Sequence, residues 1–167
     1  MASTGSRTPR KKRPVKRKTK RSTWEAKFMP LLVKHHAHYA KTIFHRLMNK
    51  SSSLRSGLKR RSKDYEVECN ITLMEVRNML FVAYGKSCHY CKKKLDITNM
   101  VCDHKTPISS GGDSTCANLQ MICATCNTRK GPLTDKEFTR LLQWIRRQPQ
   151  DVAAYILRKL AAREVFR

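Results

Sequence analysis

Two things are nearly missing from this 167-residue chain. No apolar run approaches the ~20 residues of a spanning helix, and no stretch reads as a signal peptide. A helical membrane span is thereby excluded, and the expected setting is intracellular: cytoplasmic, or nuclear if the host is eukaryotic. Acidic residues are the second scarcity. Residues 1–63 hold Glu25 as their one acid against 20 lysines and arginines, whereas residues 64–167 hold 11 acids against 16. Most of the formal net charge of +24 therefore sits in the N-terminal third. Its natural partner is a polyanion. A membrane surface or heparin would attract such charge, but nucleic acid leads, because each phosphate neutralised by Lys or Arg releases condensed counterions.

What is present divides the chain, which is long enough for one domain plus tails. "RTPRKKRPVKRKTKR" (Arg7–Arg21) has ten basic residues, two prolines and Val15 as its one large apolar side chain. Such a stretch buries too little surface to offset the entropy of ordering, so a basic tail over 1–22, disordered when free, is expected. Arg10, Lys11, Lys12, Arg13, Lys16, Arg17 and Lys18 are its candidate DNA contacts. Next, Trp24, Phe28, Leu31, Leu32, His35, Tyr39, Ile43 and Leu47 recur at roughly helical spacing. Pro30 is expected to open or interrupt this helix, leaving 31–49 as the firmer part. His35, His36, His38 and His45 lack nearby thiols or carboxylates beyond Glu25, which favours packing or phosphate contact over metal binding. "KSSSLRSGLKRRSK" (Lys50–Lys63) reads as a polar linker, so 23–63 is a helical basic DNA-contacting extension and linker.

A compact domain is expected over 64–150. Thr72 with Glu75 and Thr134 with Glu137 are capping boxes, each opening an apolar helical stripe. Gly85 suits the end of the first stripe and Pro149 the stop after the second. A C-terminal helix over 151–167 opens on Asp151.

Seven cysteines without a secretory signal are more often metal ligands than disulfides. Cys88 and Cys91 form one CxxC, Cys123 and Cys126 another, with 31 residues between the pairs. Together they offer four soft ligands to one tetrahedral ion, the structural zinc arrangement. Cys69, Cys102 and Cys116 lack such spacing and read as small core residues or free thiols. A clamp at both ends makes the segment between them β ("MVCDHKTPI"), turn ("SSGGDS"), β ("NLQMIC") and short helix ("ATCNTRKG").

"CHYC", "CDHKTPISSGG", "NLQMIC" and "CNTRKG", in that order, resemble the HNH endonucleases, whose ββα-metal fold occurs in colicin DNases, homing endonucleases and RNA-guided nucleases. The resemblance spans 88–131. It implies that His104 is the general base, a neutral imidazole able to take a proton from water. It implies that Asp103 and Asn127 hold a catalytic divalent ion, that Asn118 keeps the loop and His104 in place, and that Lys130 contacts phosphate. Many members have His where this chain has Asn127. An amide oxygen is the harder ligand, which tilts the catalytic ion towards Mg2+ or Mn2+ and away from Zn2+ or Ni2+. Asp103 and His104 are neighbours, so a regular strand would aim them at opposite faces; the strand must end or twist there.

The expectation is an α+β protein: a small zinc-stabilised ββα-metal core, flanking helices and a basic N-terminal extension. It would cut DNA, double-stranded above all, using structural Zn2+ and catalytic Mg2+ or Mn2+. A phage or mobile-element origin follows by family association alone. The alternative is a non-catalytic zinc-dependent nucleic-acid-binding protein. An RNA-directed or ribosome-associated zinc protein fits the charge but not the Asp-His pair.

Overall fold

A computed structural model describes residues 20–162. The tail cations Arg10, Lys11, Lys12, Arg13, Lys16, Arg17 and Lys18, and the last residues of the expected C-terminal helix, lie outside the described residues. The elements run α1 (Lys20–His36), α2 (Ala40–Asp64), α3 (Leu73–Ala83), β1 (Met100–His104), β2 (Leu119–Cys123), α4 (Ala124–Lys130), α5 (Asp135–Ile145) and α6 (Gln150–Ala162). This is an α+β fold whose one sheet, among the described residues, is the antiparallel pair β1 and β2.

The N-terminal helices differ from the sequence expectation in two places. Pro30 lies inside α1, and the break comes later, at the turn over 37–39 where the Tyr39 amide bonds the His36 carbonyl. A proline inside a helix costs one backbone hydrogen bond. Here Trp24, Phe28 and Leu32, one turn apart, are all buried, and that packing holds the helix through it. Trp24 stacks on Phe28 and Phe28 on Phe81 of α3, with ring centroids 5.0 and 4.4 Å apart. Leu31 and Tyr39, expected on the apolar face, are exposed.

The second difference is the reading of 50–63 as a linker. It is the continuation of α2. Phe44, Leu47, Met48, Ser51, Leu58 and Ser62 make its buried stripe, so two of its core positions are serines. That composition is why the segment reads as a linker. Ser51 satisfies its hydroxyl on the Met48 carbonyl at 2.6 Å, and Lys50 donates to the Ile97 carbonyl at 2.8 Å. Residues of α1, α2, α3, both strands and α5 share one hydrophobic core.

The later helices start where their sequence says. Both capping boxes form: Thr72 with Glu75 and Thr134 with Glu137, each hydroxyl accepting the third amide while the glutamate reaches back. Gly85 follows α3 at φ +78°, a conformation open to glycine, and hands the chain to the first cysteine pair.

Candidate metal centre and catalytic cavity

The two CxxC pairs arrive from different elements. Cys88 and Cys91 sit on a tight knuckle after α3, closed by Cys88 N–H to the Lys93 carbonyl and Lys92 N–H to the Cys88 carbonyl. Cys123 ends β2 and Cys126 lies in the first turn of α4. Their four sulfurs lie within 4.8 Å of one another, and Cys91 Sγ is 3.5 Å from Cys123 Sγ. A tetrahedral zinc with Zn–S near 2.3 Å puts its sulfurs about 3.8 Å apart, so the donor set fits one such ion. Burial pushes the Cys88 thiol up, but amide N–H groups of Cys91, Cys123 and Tyr90 outweigh it and bring it to about 7. Burial raises Cys123 and Cys126, so four thiolates here need a cation among them. His89 is exposed beside the knuckle and is no part of the cluster. Among the described residues no other group of three or more His, Cys, Asp or Glu side chains is so placed.

Between the two pairs, β1 and β2 pair in the register Met100↔Cys123 through His104↔Leu119. The strand ends at His104. There Asp103 and His104, both buried, line one cavity of about 820 Å³ together with Asn127 and Lys130 of α4, Arg61 of α2 and Lys159 of α6. The required strand end is thus present, and it lets two adjacent side chains serve one space.

Each is held differently. Gln120, across the ladder from Asp103, donates to its carboxylate at 3.0 Å. Burial pushes the Asp103 carboxyl up, and Gln120 and Lys130 pull against that. His104 Nε2 lies 2.9 Å from Ser114 Oγ, and Nδ1 makes no hydrogen bond among the described residues. Burial lowers the His104 pKa to about 4, with the cations Arg61 and Lys130 adding to the effect, so its imidazole is neutral at pH 7.

Lys130 departs from the expected phosphate contact. It is 1% exposed, its ammonium lies 3.3 Å from both Asp103 carboxylate oxygens, and it donates to the His104 carbonyl at 2.8 Å. The reason is the course of α4, which packs on β1 and turns this side chain inward. An ionised carboxylate has about four acceptor sites, so Gln120 and Lys130 leave Asp103 capacity for a further cation. Asn127 lines the same cavity. Carboxylate and amide oxygens are hard donors that fit a magnesium-like ion.

Asn118 fastens the loop between the strands. Its Oδ1 accepts the Thr106 amide at 2.8 Å, and its Nδ2 donates to the Thr106 and Asp113 carbonyls at 3.1 and 2.8 Å. Gly112 permits this closure, since a Cβ there would stand 2.0 Å from the Thr106 oxygen. Sequence spacing brings Asp103, His104, Asn118, Asn127 and the four cysteines into view. It misses Arg61, Ser62, Ser114, Gln120 and Lys159, which carry no local pattern and reach the site through tertiary packing.

Residues 88–133, which hold the knuckle, the antiparallel pair and α4, match the family model for HNH endonuclease. An HNH endonuclease domain occupies that span, with a four-cysteine metal site of the zinc-binding type. No curated protein matches the chain. No helix among the described residues is long and apolar enough to cross a membrane.

Proposed function

We propose that this protein is a metal-dependent DNA endonuclease with His104 as general base, and Asp103 and Asn127 as ligands of a divalent ion, Mg2+ or Mn2+. The observation that carries the reading is that Asp103, His104 and Asn127 line one cavity, with one His104 ring nitrogen unbonded among the described residues. His104 takes the proton of an attacking water at Nδ1. Arg61, Arg129 and Lys159, also on the cavity walls, supply positive charge where a phosphodiester enters. When bound, the divalent ion contributes charge stabilisation at the phosphate and leaving oxygen. Asn118 acts through the loop it fastens, as a positioning residue. The four cysteines hold a structural Zn2+ that joins the knuckle to β2 and α4. The substrate class is double-stranded DNA, gripped in addition by the basic face of α2 and the N-terminal tail.

One observation favours a non-catalytic nucleic-acid-binding module instead: the Lys130 ammonium already stands at the Asp103 carboxylate. Cleavage of supercoiled plasmid with Mg2+ or Mn2+, against an EDTA control, separates the two readings.

A further inference from the structure

Two completely buried serines lead to His104. Ser62, near the end of α2, and Ser114, in the loop before β2, are 1% and 0% exposed. The Ser62 hydroxyl donates to Ser114 Oγ at 2.7 Å, and Ser114 Oγ is 2.9 Å from His104 Nε2. A buried hydroxyl is costly unless it is bonded, so two of them on a packed face where alanine would fit ask for a reason. Ser114 is fixed through its backbone as well. Its N–H donates to the Glu68 carbonyl at 2.8 Å, and its carbonyl accepts the Ile71 N–H at 3.2 Å. Ser62, Glu68 and Ile71 all lie outside the segment that matches the HNH family.

We propose that Ser62 and Ser114 are positioning residues for His104: they fix its ring plane and keep its proton on Nε2, leaving the Nδ1 lone pair for the water. This rests on the reading of His104 as general base. Ser114 Oγ has two lone pairs; one accepts the Ser62 hydroxyl, the other the Nε2–H, and its own O–H then has no acceptor among the described residues. Nδ1 is then the nitrogen that takes a proton. The reverse polarity, Ser62 to Ser114 to a bare Nε2, suits the same heavy-atom positions and would satisfy both hydroxyl protons. It would make Nδ1–H a donor and end the base role, so the two polarities have opposite chemical consequences. The end of α2 and residues 68–71 thereby become part of the catalytic apparatus, beyond any grip on DNA.

The test uses full-length, zinc-loaded protein: wild type, Ser62→Ala, Ser114→Ala, the double variant, Ser62→Thr and His104→Ala. Each alanine change should lower kcat for plasmid cleavage about tenfold, the worth of one orienting hydrogen bond, with KM unchanged. The double variant should lose no more than Ser114→Ala alone, because both act through one chain. Ser62→Thr, which keeps the hydroxyl, should recover most of the loss. Long-range 15N correlation spectra of the histidine rings give a readout independent of turnover. Wild type should show His104 wholly protonated at Nε2 and bare at Nδ1, and Ser114→Ala should relax it to the mixed tautomers of a free imidazole, in which Nε2–H still leads. Nδ1 protonated in wild type would overturn the inference. So would wild-type kcat in Ser62→Ala and Ser114→Ala alongside an inactive His104→Ala, a result that leaves the general-base reading standing. An active His104→Ala strikes at that reading itself. If Ser114→Ala fails to fold, Ser62→Ala and the wild-type spectrum decide.

Discussion

Gln120 faces Asp103 across the antiparallel ladder and donates one amide hydrogen to its carboxylate at 3.0 Å. The same amide nitrogen lies 2.9 Å from the hydroxyl of Tyr90, which itself donates to Asp135 at 2.6 Å. Tyr90 stands between Cys88 and Cys91, so a continuous polar chain links the cysteine knuckle to the acid of the cavity. Partners of this kind orient a ligand and tune its affinity.

Gln120→Leu should therefore weaken binding of Mn2+ at the cavity by roughly 10–100-fold, while zinc content stays the same. Mn2+ titration followed by electron paramagnetic resonance measures this directly. An unchanged Mn2+ affinity would remove Gln120 from the site.

Cys123→Ser should cost folding as well as activity. Cys123 ends β2, and its sulfur accepts the Cys126 amide at 3.4 Å as the cap of α4. Loss of one ligand releases the knuckle, the strand and the helix together. Metal analysis should find about one zinc per chain in wild type and markedly less in the variant, with a lower thermal midpoint.

Two glycine substitutions should move stability in opposite directions. Gly112→Ala forces a Cβ to within 2.0 Å of the Thr106 carbonyl oxygen, where only backbone movement can relieve the clash. A loss of ~1–3 kcal/mol is expected, together with loosening of the loop that Asn118 fastens. Gly57 lies inside α2, and a methyl group added there would meet nothing within 4 Å. Gly57→Ala should gain ~0.5–1 kcal/mol. Denaturant unfolding of the pair gives the contrast within one protein.

Deleting residues 1–19 stops short of α1 and spares its buried Trp24. The truncated protein should keep its fold and bind DNA more weakly. Its plot of log K against log[salt] should be shallower by roughly 0.9 for each phosphate that the tail neutralises. Unchanged salt dependence would assign the tail another role.

The parts of this protein legible in sequence are those written in local chemistry. Two capping boxes, two CxxC pairs and the Asp-His, Gly-Gly and Asn landmarks set α3, α5 and the ββα segment, because each pattern satisfies its own backbone or ligand needs. What stays hidden depends on distant partners. Ser51 and Ser62 read as linker residues, yet they are buried because Met48 and Ser114 take their hydroxyls. Pro30 reads as a break, yet the aromatic packing of Trp24 and Phe28 carries α1 through it. Lys130 is expected to contact phosphate; its burial against Asp103 depends on how α4 lies over β1.

The proposed role of His104 as the base in cleavage is decided by comparing wild type with His104→Ala. Supercoiled plasmid is incubated with full-length, zinc-loaded wild type or His104→Ala, with Mg2+ or Mn2+ and with EDTA. Wild type should cleave with the ion and not with EDTA. His104→Ala should retain zinc, fold and DNA affinity while cleaving ~10²–10⁴ times more slowly. Equal cleavage by the two proteins, or none by folded wild type with either ion, would overturn that role for His104.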